Sequence, residues 1–125
     1  MRVLTTGAVA LLLSTVMATA QDAPSGESVF RSQCGACHQV DARNRVGPGL
    51  EGVWERRAGS VESFRYSPAM KAKGEAGLVW DNANLRAYLR NPREVVPGGS
   101  MAYPGLRDDA RLSALVDYLR ERNSP

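Results

Sequence analysis

All of the cysteine and histidine in this chain sits in one five-residue stretch, Cys34-Gly35-Ala36-Cys37-His38. Two thiols and one imidazole are therefore the whole soft-ligand inventory apart from methionine, and they arrive together. A structural zinc site needs four ligands, and no further Cys or His remains to complete it. A redox-active Cys-x-x-Cys pair normally accompanies a βαβ pattern, and no stretch here alternates apolar and polar residues long enough to make strands. A plain disulfide between Cys34 and Cys37 would leave the rest of the chain unexplained.

The spacing is that of a c-type haem attachment sequence. Each thiol adds across one vinyl group to give a thioether, and the adjacent His38 is presented to the iron from the same turn. With one histidine in the chain, the opposite face of the iron cannot take a second imidazole. A methionine thioether is the remaining soft ligand, and it favours ferrous iron. Met1 and Met17 lie in the N-terminal segment. Met70 falls in a short helical stretch, where a core-filling role is expected. Met101 lies in a loop framed by Pro97, Gly98, Gly99, Pro104 and Gly105, with no helix face to serve. It is the better ligand. Iron held by His and Met has no open position for a substrate, so its chemistry reduces to the gain and loss of one electron.

Residues 1–20 read as a cleaved signal peptide. Arg2 gives a basic start, Val3 to Val16 is almost wholly apolar, and Ala18-Thr19-Ala20 supplies a small-x-small cleavage pattern. The apolar run falls short of the ~18 residues that a spanning helix needs. Residues 21–125 then form one domain. Its core is small enough to gain from a bound group. The chain carries 16 Lys+Arg against 13 Asp+Glu, with only Lys71 and Lys73 as lysine and no basic run. Nucleic-acid binding has no support in that pattern.

The elements read as short helices joined by long loops. Ser25 caps a first helix that carries Phe30 and reaches Cys34. Residues 43–59 read as loop, marked by Gly47-Pro48-Gly49. Ser67-Pro68 opens a short helix through Lys73, ended by Gly74 and Gly77. Asp81 or Asn82 caps a third, with Leu85, Tyr88 and Leu89 on one face, and Asn91-Pro92 stops it. Asp108 or Asp109 caps the last, whose Leu112, Leu115, Val116 and Leu119 make an i, i+3, i+4, i+7 stripe. The fold class is all-α. Loops this long need a body to wrap.

At these residues the chain resembles the class I cytochromes c, especially the soluble bacterial ones close to the mitochondrial type. The likeness runs from about Ser25 to Arg122 and is carried in order by several segments. These are Phe30 with Cys34 to His38, Gly47-Pro48-Gly49-Leu50, Phe64-Arg65-Tyr66-Ser67, Tyr88-Leu89-Arg90-Asn91-Pro92, Pro97-Gly98 with Met101, and Leu115 with Tyr118-Leu119. The resemblance implies one small cytochrome c fold around a single covalent haem c. It implies that Pro48 offers its carbonyl to His38, that Arg56, Tyr66 and Trp80 serve the haem propionates, and that Tyr88 sits near the Met101 sulfur. It also implies Phe30, Leu115 and Tyr118 packing the first helix on the last.

The implied role is a monomeric periplasmic electron carrier that docks transiently on larger redox proteins or membrane electron-transfer complexes. The alternative is a haem-bearing oxidoreductase subunit or a peroxidase-like protein. Three positions depart from the family pattern: Gly99 replaces a usual Thr, Ser100 a frequent Lys, and Met70 a common Asn.

Overall fold

The structure, a computed structural model, describes residues 24–124. The expected signal peptide at 1–20 lies outside them. Among the described residues five helices follow one another: α1 (Gly26–Gln33), α2 (Pro68–Glu75), α3 (Asn82–Arg90), α4 (Pro92–Val95) and α5 (Asp109–Arg122). Among the described residues the one β-type pairing is an isolated bridge between Arg57 and Val79.

The four longer helices begin where a short polar side chain can accept a free amide. Ser25 accepts from Ser28, Ser67 from Met70, Asp81 from Asn84 and Asp108 from Arg111. Helix α2 runs to Glu75, two residues past the expected Lys73. Gly74 is not its stop signal: a side chain there would meet the Ala58 carbonyl at 1.9 Å, so glycine permits close packing. Pro92 ends α3, as expected, and also starts the short helix α4. Asn91 between them leaves the helical region, with φ −153° and ψ 88°, as a residue before proline tends to.

The core lies where α1 and α3 pack on α5. Leu112, Leu115, Val116 and Leu119 are all buried, so the predicted stripe is the inward face of α5. Phe30 meets Tyr118 with ring centroids 5.8 Å apart. The helices cross closely at Gly26, where a Cβ would stand 2.1 Å from the Ala114 carbonyl oxygen. That crossing at the first residue of α1 and the Phe30–Tyr118 contact further along hold the helix that leads into Cys34 against α5.

Between α1 and α3 the backbone folds back on itself without forming a sheet. The Ala58 N–H donates to the Leu78 carbonyl at 2.8 Å and the Trp80 N–H to the Arg56 carbonyl at 2.9 Å. Arg56 and Trp80, 24 residues apart by their numbers, are thereby neighbours.

Candidate functional site

Helix α1 ends at Gln33, and the chain turns at once. The Cys34 and Gly35 amides both donate to the Phe30 carbonyl, and the Cys37 and His38 amides both donate to the Cys34 carbonyl. This tight turn brings both cysteines and the imidazole to the wall of one cavity of about 270 Å³. All nine residues singled out from the sequence line it: Cys34, Cys37, His38, Pro48, Arg56, Tyr66, Trp80, Tyr88 and Met101. The other lining side chains are largely apolar, among them Phe30, Leu50, Val53, Leu85 and Leu89.

His38 is fixed by its partner. A carbonyl can only accept, so Nδ1–H donates to the Pro48 oxygen at 2.9 Å and the Nε2 lone pair is left free. Burial, partly opposed by that hydrogen bond, lowers the imidazole pKa, so the ring is neutral at pH 7. A neutral, oriented imidazole is the form that binds metal. The segment opposite is laced in place: the Gly47 N–H donates to the Cys37 carbonyl at 2.9 Å, and the Arg45 N–H to the Gly47 carbonyl at 2.9 Å. Gly47 lies flat against the ring, where a Cβ would come within 2.2 Å of His38 Cε1.

Neither cysteine is in a disulfide. Burial, with Cys37 alongside, pushes the Cys34 thiol up to about 11. A redox-active dithiol needs the opposite, a thiolate stabilised near neutral pH. The geometry therefore disfavours exchange chemistry at this Cys-x-x-Cys.

Across the cavity, Met101 lies half-buried in the loop, with the Tyr88 hydroxyl 3.9 Å from its sulfur. Tyr88 is buried, its ring centroid 4.7 Å from that of Trp80 in a tilted arrangement, and burial pushes its phenol up to about 12, so it stays a donor. Met70 fills space beside the core as expected, and it also lines the cavity.

Arg56 is not a solvated surface charge. Its Nη atoms donate to the Glu51 and Gly49 carbonyls, at 2.8 Å for the shortest, while Nε is buried with no partner. Among the described residues no carboxylate pairs with it, and burial lowers its pKa. A half-buried guanidinium with an orphan donor on an apolar cavity calls for an anionic group from outside the chain. The Tyr66 hydroxyl accepts from the Val61 N–H at 3.3 Å and keeps its own proton to give.

Two cavity residues had no distinguishing mark in the sequence. Gln33 and Tyr103 are joined by a 2.9 Å hydrogen bond from the Tyr103 hydroxyl to Gln33 Oε1. They are far apart in the chain, and neither residue type announces such a bond.

Two thiols, a neutral imidazole, a thioether and an unpaired cation around one apolar cavity fit a large flat acid held through carbon, sulfur and iron. These features define a protein that wraps short helices around a covalent haem. Comparison agrees. Residues 23–123 match the Cytochrome c family. The chain is 40% identical over 126 residues to cytochrome c2 of Blastochloris viridis, covering 99% of this chain and 96% of that one. It is 48% identical over 98 residues to cytochrome c2 of Afifella marina, covering 77% and 78%. The solved structure of cytochrome cH from Methylobacterium extorquens superposes with a TM-score of 0.70 at 37% identity, over 77% of this chain and 94% of that one. The chain belongs to the cytochrome c family of electron-transport proteins, and its cofactor is covalently bound haem c.

Proposed function

We propose that this cytochrome is exported by its N-terminal segment and works in the periplasm as a one-electron carrier between larger redox complexes. In this reading Cys34 and Cys37 would hold the haem through two thioethers, and His38 and Met101 would bind its iron. The bound haem supplies a reversible one-electron couple. Every other contribution is the protein's. Pro48 holds His38 in the tautomer that leaves Nε2 free. Tyr88 steadies the Met101 sulfur. Arg56, Tyr66 and Trp80 receive the propionates, and the apolar wall keeps water from the metal.

The observation that carries the reading is the pairing of a Pro48-oriented imidazole with a Tyr88-oriented thioether on one cavity. With both faces of the iron taken, no position remains for a substrate. This favours a carrier over a peroxidase-like enzyme. Docking is then brief, with charge setting encounter rate more than affinity. The test is a mediated redox titration of the purified protein together with fractionation of the producing cells. The expected result is one electron per chain, recovered in the periplasmic fraction and beginning after Ala20. A protein retained in the cytoplasm with residues 1–20 intact, or one that turns over peroxide rapidly, would overturn it.

A further inference from the structure

The loop that carries Met101 is pinned at both ends and nearly free between. The Gly99 N–H donates to the Val96 carbonyl at 3.0 Å, and the Leu106 N–H to the Leu89 carbonyl at 2.9 Å. Among the described residues, no backbone hydrogen bond involves residues 100–105. Two side-chain bonds tie this span down. One is the long contact between the Tyr88 hydroxyl and the Met101 sulfur. The other is the 2.9 Å bond from the Tyr103 hydroxyl to Gln33 Oε1. The second is the better bond, since sulfur is a weak acceptor. Gln33 is the last residue of α1, next to Cys34, so this bond joins the Met101 loop to the haem-attachment turn.

We propose that Tyr103 and Gln33 form a latch, a pair of positioning residues that sets how readily Met101 yields its place to a small nitrogenous ligand. The inference rests on the reading of Met101 as an iron ligand. Displacing Met101 requires residues 100–105 to swing outward. That movement breaks no helix and no backbone ladder. It breaks the latch and the Tyr88 contact. The latch exists only with the loop seated, so losing it shifts the balance toward the displaced state. One partly buried neutral hydrogen bond corresponds to a change of roughly two- to tenfold in that balance.

The test is titration of the ferric holo-protein with imidazole, following loss of the thioether–iron absorption band. It compares the native protein with Tyr103→Phe, Gln33→Ala, the double variant and Gln33→Glu. Tyr103→Phe removes the hydroxyl and keeps the ring. Each of the first two variants is expected to bind imidazole roughly two- to tenfold more tightly. The double variant should match either single one, because both remove the same bond. Gln33→Glu, whose carboxylate can accept the same proton, should return the affinity toward native. Unchanged affinity in the single variants, or effects that multiply in the double, would overturn the latch while leaving Met101 as ligand. Absence of the thioether band before any imidazole is added would overturn the ligand reading itself, and the latch with it.

Discussion

Substituting Gly47→Ala probes the most tightly specified contact in the site. The new Cβ would stand 2.2 Å from His38 Cε1 and 2.7 Å from both ring nitrogens. Carbon atoms pack at about 3.5 Å or more, so the ring and the loop must separate by about 1.3 Å. Neither can yield freely. The Gly47 N–H is bonded to the Cys37 carbonyl, and the ring is held by Pro48 at 2.9 Å. A retreat of that size takes Nδ1 beyond hydrogen-bonding reach of the Pro48 oxygen. The lost bond costs about 1 kcal/mol, and the overpacking roughly 1–3 kcal/mol more. In a domain this size, 1 kcal/mol moves the melting midpoint by about 4–8 °C. Thermal unfolding of the haem-loaded protein, followed by circular dichroism, should therefore show a midpoint at least ~8 °C lower. If His38 binds the iron as proposed, the reduction potential should also move, because the ring has moved. A midpoint within ~2 °C of native, with an unchanged potential, would refute the reasoning that Gly47 exists to admit the imidazole.

The remaining predictions concern the cavity and its surroundings. Replacing both Cys34→Ser and Cys37→Ser leaves a void of about 270 Å³. At ~24 cal/mol per Å³ that void costs about 6 kcal/mol, comparable to the whole stability of a small domain. The variant should lack a cooperative thermal transition, and finding one would count against the wrapped-loop account. Arg56→Gln should lower the reduction potential by an amount on the order of tens of millivolts, since a neutralising cation is lost from the cavity wall. A rise in potential would contradict its assignment to the propionates. The carboxyl of Asp109 is held below its ordinary range by hydrogen bonding from the Arg90 guanidinium. Its stabilisation is present above the ordinary carboxylate pKa and disappears as pH falls through the lowered value. The difference in denaturant midpoint between native protein and Asp109→Asn should accordingly be full above the ordinary carboxylate range and close as pH falls through and below it.

The sequence carried the helices because their signals are local. Each longer helix starts at a Ser or Asp whose side chain can reach an amide three residues on, and the α5 stripe needs only its own spacing. The attachment turn was legible for the same reason, as five consecutive residues. Features that depend on distant partners were not. Gly74 reads as a helix stop until Ala58 is placed against it. The adjacency of Arg56 and Trp80 comes from a backbone pairing too short to leave an alternating pattern. Tyr66 was placed by family likeness, because nothing in its neighbours aims it at a cavity. The Tyr103–Gln33 bond joins two ordinary polar residues from opposite ends of the domain, and only the fold brings them together.

The central claim is that His38 and Met101 hold one iron from opposite sides of a covalently attached haem. Its most direct test is the visible spectrum of the purified protein, oxidised and reduced, beside that of Met101→Ala. The native protein should show a low-spin c-type haem with a thioether–iron band in the oxidised state, and the variant should lose that band and turn high-spin. A native spectrum without the band, or a variant that retains it, would contradict the claim.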